Sequence, residues 1–154
     1  MDFEAAGRVV ALFEGRGQLD RVENGGGAAA ACLGRARARL SAVSVLVDAQ
    51  LWESAFTTAY DAYRTAADAI VLVLGYRVPA TPGGHRIATD IAQAALKPDS
   101  AAFSPAPAER FRQGRHESEY FDPARPVDKT AADVRWAFDL ATRAVEAVAA
   151  AISS

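Results

Sequence analysis

The chain reads as an all-α protein: an antiparallel up-and-down bundle of four main helices with an N-terminal helical arm. Three observations predict this. Apolar residues recur at spacings of three and four through most of the 154 residues, as in helices with one buried face. Glycine- and proline-rich stretches fall between those runs and punctuate them. No segment shows the period of two that a half-buried strand requires.

Residues 3 to 14 form a short amphipathic segment carrying Phe3, Val9, Val10 and Phe13. It leads into GRGQLDRVENGGG, which is polar and rich in glycine, a residue that disfavours regular structure. Residues 1–27 therefore read as a helical arm and linker, poorly anchored near 24–27, and residues 28–154 as the helical bundle. In the next helix, from about 28 to 47, Leu33, Ala36, Leu40, Val43 and Val47 make one stripe. Arg35, Arg37 and Arg39 lie mostly off it, as a solvated face. Asp48 and Gln50 mark a short turn.

A second helix, from about 51 to 74, carries Phe56, Tyr60, Tyr63, Ala67, Ile70 and Leu74, and Gly75 occupies the position of a C-terminal glycine. The tyrosines read as core residues whose hydroxyls reach a polar partner. The loop YRVPATPGG breaks the chain before a short helix from about 84 to 96 with Ile87, Ile91 and Ala94 inward. His85, at its start, reads as a cap or a packing residue, or as a supporting contact to a functional cleft. KPDSAAFSPAP is a further breaker. Ser104 followed by Pro105 reads as an N-cap with proline at the first helical position. The helix begun there ends at DPARPVDK. Thr130 and Asp133 resemble a capping box at the start of a last helix with Val134, Phe138, Ala141, Val145, Val148 and Ile152. Trp52 and Trp136 read as packing or dimer residues.

Composition narrows the function. Apolar residues make up 51% and charged residues 23%, and the net charge is −2, so no global field attracts nucleic acid and any anion site must be local. One cysteine, Cys32, allows no intrachain disulfide and reads as a small buried group. The start, MDFEAAG, is acidic and lacks the basic region of a signal peptide. The most apolar run, AIVLVLGY, is too short to cross a bilayer. The expectation is a cytoplasmic protein with no membrane association.

The stretch ERFRQGRHESEY concentrates the chemistry. Residues four apart on a helix lie nearly in line, so Arg112, His116 and Tyr120 share a face. Arg110, about 120° around the axis, flanks it, and Arg115 sits on the other shoulder. Arginine offers a forked donor set suited to phosphate, and histidine moves protons near neutral pH. Together they supply what metal-independent RNA cleavage needs: proton transfer and stabilisation of charge at phosphorus. The bland alternative is a solvated helix face. With two histidines, His85 and His116, a three-histidine zinc site cannot be built from one chain. The Glu-x-x-His pattern of helical di-iron sites is missing, and PGGH lacks the ending of a phosphate-binding P-loop. No metal or cofactor is expected.

Three pieces, in order, resemble the HEPN domain family, and most closely its SAV_6107-like group. They are AFTTAYDAYRTAADAIVLVLGYR, the PGGH loop, and RFRQGRHESEYFDP. The resemblance covers the segment from Leu33 to Val148. It implies a helical bundle that dimerises, with RNA or a nucleotide held in a cleft between two protomers. In active members an arginine, four to six residues and a histidine form the ribonuclease motif, which Arg110 and His116 satisfy. Active members usually carry a polar residue after that arginine, where this chain has Phe111. Arg112 has the polar neighbour Gln113 but stands closer to His116 than the family spacing. Family spacing favours Arg110 and helix geometry favours Arg112; the expectation is Arg110, since in a two-protomer cleft the partner helix can cover its offset. The resemblance thus implies catalytic Arg110, Arg112, His116 and Tyr120, RNA-binding Arg115, and a homodimer acting as a toxin, defence or RNA-processing component, with an antitoxin or nucleotidyltransferase as a possible partner. The alternative it also implies is an inactive module that binds nucleotide, RNA or a protein.

Overall fold

The computed structural model describes residues 1–96, 101–126 and 128–153; parts of the two segments expected to break helices, 97–100 and Val127, lie outside them. The described chain is mostly helical: α1 (Phe3–Gly15), α2 (Gly25–Asp48), α3 (Trp52–Val73), α4 (Gly84–Ala95), α5 (Pro105–Glu119) and α6 (Ala131–Ser153). Two residue pairs, β1 (Asp20–Arg21) and β2 (Tyr76–Arg77), form a minimal antiparallel ladder. No helix among the described residues is long and apolar enough to cross a membrane.

Helix α3 is the axis of the molecule and packs against α2, α4, α5 and α6. Its buried residues run around most of its circumference, from Ala55, Phe56 and Ala59 through Tyr60, Tyr63 and Ala66 to Ile70 and Val71. A helix apolar on nearly all sides belongs inside. Its many alanines let neighbours approach closely, and Tyr60 and Tyr63 fill the wider spaces. The expected stripes of α2 and α6 face it: Leu33, Ala36 and Val43 from α2, and Val134, Ala141, Val145 and Val148 from α6, are buried. Cys32 is half-buried on α2, its Sγ donating to Thr65 O at 3.3 Å.

The glycine-rich segment is more ordered than its composition suggests. Helix α2 already begins at Gly25, three residues before the expected start. A Cβ at Gly25 would stand 2.0 Å from the Leu72 carbonyl oxygen, so this glycine permits close approach of α2 to the end of α3. Val22 N donates to Gly75 O at 2.9 Å, and Gly75 itself has φ +85°, the left-handed conformation expected after a helix. Residues of the arm join the same core as the bundle: Ala6, Val10, Phe13 and Leu19 are buried, and α1 lies on α4. Phe3 does not join them and is exposed.

Local capping follows the sequence closely at α6. Asp133 Oδ2 accepts from Thr130 N at 2.8 Å while Thr130 Oγ1 accepts from Asp133 N at 3.3 Å, the reciprocal pattern of a capping box. At α5, Ser104 is the N-cap residue and Pro105 opens the helix, but the serine side chain makes no capping bond.

Candidate functional site

Helix α5 is held by one deep anchor. Phe111 is its buried residue, and its ring lies 5.1–5.3 Å from the rings of Phe56, Tyr60, Tyr63 and Trp136. The contacts with Phe56, Tyr60 and Trp136 are edge-to-face and that with Tyr63 is tilted, and aromatic packing of this kind stabilises beyond area burial. One turn on, Gly114 brings the helix backbone against α3: a Cβ there would be 2.6 Å from the Phe56 ring. The apolar residue following Arg110 is therefore the packing contact that docks α5, and the polar residues around it divide into two flanks.

On one flank, Arg110 lies over Trp136, with Cζ 4.0 Å from the ring centroid. It borders a recess with Gln113, Lys129 and Trp136. Lys129 is buried beneath, bound to Asp128 at 2.8 Å and 3.8 Å from Glu117.

On the other flank, Arg112, Arg115 and His116 border a cavity of about 400 Å³ together with Tyr60, His85 and Arg86. The two predicted arginines therefore separate: Arg112 shares a cavity with His116, and Arg110 does not. His116 is exposed, with Nδ1 3.7 Å from Glu119. Arg112 donates twice to Glu109, at 3.0 and 2.6 Å, and this bond holds the Glu109 carboxyl below its ordinary range. Arg115, expected on a free shoulder, is half-buried; it pairs with Glu119 and lies 3.6 Å from Asp61, tying α5 to α3. Tyr120 is the C-cap residue of α5, with an extended backbone. Its ring meets His116 edge-on at 5.4 Å, but it lines a neighbouring recess with Phe121 and Asp122.

His85 was expected as a cap or a packing residue, or as a supporting contact to a functional cleft. It packs against the neighbouring helix as that reading allowed, yet it also borders the cavity. Its Nδ1 lies 2.5 Å from the Tyr60 hydroxyl, and the two rings stack at 5.5 Å. His85 is exposed as a whole residue, but crowding of its ring on the Tyr60 side, with the guanidiniums of Arg64, Arg115 and Arg112, pushes the imidazole down to about 4. Burial pushes the Tyr60 phenol up to about 12, so that hydroxyl keeps its proton. The other tyrosine, Tyr63, donates to Ala102 O at 3.0 Å. The signal in the sequence was numerical: two histidines in the whole chain, one at a glycine-led helix start and one in the arginine-rich run.

Two of the three arginines on α2, Arg35 and Arg37, are exposed, whereas Arg39 donates to the Thr65 hydroxyl and to Asp61 O. Trp136 packs on Phe111, while Trp52 is half-buried beside Val47 and Phe138. Among the described residues, no group of three or more histidine, cysteine, aspartate or glutamate side chains is arranged to hold a metal ion. The chain matches no protein-family model, no curated protein and no solved structure.

Proposed function

We propose that the chain is a HEPN-type antiparallel bundle of four main helices with an N-terminal arm, acting as a metal-independent ribonuclease in a homodimer. The observation that carries this reading is the shared cavity of Arg112, His116 and His85. Arg112 gives a planar donor set for a phosphate, and an exposed imidazole beside it can move a proton. Arg112 therefore replaces Arg110 as the phosphate-binding arginine, and Arg110 serves packing against Trp136. A homodimer is supported by the apolar surface at the end of α5, where Tyr120 is 68% and Phe121 81% exposed. Toxin, defence and RNA-processing roles, with an antitoxin or nucleotidyltransferase partner, all accommodate such an activity in the cytoplasm.

One observation favours a non-catalytic module that binds a nucleotide, RNA or protein. Arg112 and Arg115 are already paired with Glu109 and Glu119, so a phosphate must compete with carboxylates for them.

The deciding experiment incubates the pure protein with total RNA in excess EDTA, beside a His116→Ala control. Cleavage by the wild type alone supports the ribonuclease. Binding of RNA without cleavage supports the module, and cleavage abolished by EDTA rejects the metal-free chemistry. Sedimentation of a monomer at micromolar concentration removes the dimer.

A further inference from the structure

An anion entering the cavity of Arg112 and His116 meets donors that are already engaged. Arg112 is paired with Glu109 and Arg115 with Glu119, and Arg86 lies 3.7 Å from Asp90. The His85 ring offers a donor that is not. The Tyr60 hydroxyl keeps its proton and donates it to His85 Nδ1 at 2.5 Å. A neutral imidazole has one N–H, so with Nδ1 as acceptor the hydrogen stands on Nε2. Among the described residues Nε2 has no hydrogen-bond partner. We propose that His85 is a further ligand-binding residue of this site, its Nε2–H donating to a non-bridging oxygen of the RNA phosphate that Arg112 holds. The inference rests on the reading of Arg112 as the phosphate-binding arginine.

Placement supports it. His85 on α4 and Arg112 on α5 border two recesses together, one with His116 and one with Thr89 and Asp90. The residue is exposed as a whole, so a ligand can reach its ring from the cavity. Tyr60 is the positioning residue. Its ring stacks on the imidazole at 5.5 Å and is itself anchored on Phe111, and its proton selects the tautomer.

Electrostatics favour a donor without charge. The charges around His85 come from three helices: Arg64 on α3, Arg86 and Asp90 on α4, and Glu109, Arg112, Arg115 and Glu119 on α5. Crowding of the ring, with the guanidiniums of Arg64, Arg115 and Arg112, keeps it neutral down to about pH 4. A neutral N–H adds a hydrogen bond to the phosphate without setting another cation among the arginines. A phosphate must displace Glu109 from Arg112, but it finds His85 free and already oriented, so that bond forms without rearrangement. His85 neither gives nor takes a proton in this role; proton transfer stays with His116.

The test uses the full-length protein. Nitrogen NMR of the histidine rings reads the tautomer: His85 should carry its hydrogen on Nε2 between about pH 6 and 8, and inorganic phosphate should shift that signal. Tyr60→Phe should release the ring to a mixture of both tautomers. A hydrogen on Nδ1 in the wild type, or a signal that phosphate leaves in place, overturns the proposal. Affinity for a short 2'-O-methyl RNA, which cannot be cleaved at its own 2'-oxygen, is then measured by fluorescence anisotropy at matched dichroism. His85→Ala should bind about 10- to 100-fold more weakly, the usual weight of one hydrogen bond to a charged group. His85→Gln, whose amide carries an N–H at similar reach, should recover most of that loss. The ratio of wild-type to His85→Ala affinity should stay constant from about pH 8 to 6, since the donor is uncharged. Unchanged affinity in His85→Ala, equal losses in both variants, or a ratio that grows with acid overturns the role of His85 while the ribonuclease stands. The expected pattern with no cleavage of unmodified RNA in EDTA keeps the donor and overturns the ribonuclease alone. A wild type that binds neither phosphate nor the RNA overturns both.

Discussion

The two flanks of α5 begin from the same residue type and end in different chemistry. Arg110 is spread over an indole, where its charge is used in packing. Two residues on, Arg112 is held by a carboxylate at the edge of a cavity that both histidines border. The difference lies in the neighbouring helix. Beside Arg110 stands α6 with Trp136; beside Arg112 stand α3 and α4 with Tyr60 and His85. An arginine's role here is set by what faces it, and Phe111 fixes which flank faces what.

The comparison can be broken most decisively at His116. His116→Ala should reduce RNA cleavage about 10² to 10⁴-fold with unchanged dichroism, since the side chain is exposed; initial rates in EDTA measure it. Removing the common anchor should blur both flanks together. Phe111→Ala leaves a hole among four aromatic rings and should lower unfolding free energy by about 3–5 kcal/mol, read by urea denaturation.

A paired substitution sharpens the contrast itself. Arg112→Ala should lower the cleavage rate by about 10² to 10³, the usual cost of one lost charge-stabilising donor. Arg110→Ala should change that rate little and should instead lower stability by about 0.5–1 kcal/mol as the cation–π contact goes. Equal catalytic losses from the two would erase the distinction. Gly114→Ala probes the close approach beneath both flanks: its methyl would meet the Phe56 ring, with a stability loss of about 1–3 kcal/mol.

The smallest effect is a pH dependence of stability. His85 has a folded-state value pushed from 6.5 to about 4, so between those values the unfolded chain binds the extra proton and stability rises with pH. The melting temperature should therefore decline as pH falls from about 6.5 towards 4, and the decline should be shallower in His85→Asn. An identical slope in both proteins would show that the imidazole is not held neutral by its surroundings.

The helices were legible because apolar periodicity, caps and breakers are local properties. Thr130 and Asp133 lie three residues apart and make the bonds their spacing implies. The same locality explains why Arg112 and His116 were placed on one face: four residues is close to one helical turn. Long-range packing was not legible in this way. Gly25 resembled a linker residue because its partner, the Leu72 carbonyl, is distant in sequence. Phe111 resembled a departure from a motif because the four rings around it come from α3 and α6.

By itself, then, the sequence determined a mostly helical chain and an arginine–histidine face on one helix, since both depend on the backbone's own repeat. Only the tertiary structure decided that Arg110 turns to Trp136, that Arg112 turns to the cavity, and that His85 meets Tyr60 there. Helical periodicity fixes the angles between side chains on one axis, whereas the docking of one axis on another depends on how distant aromatic rings and alanines fill a common interior.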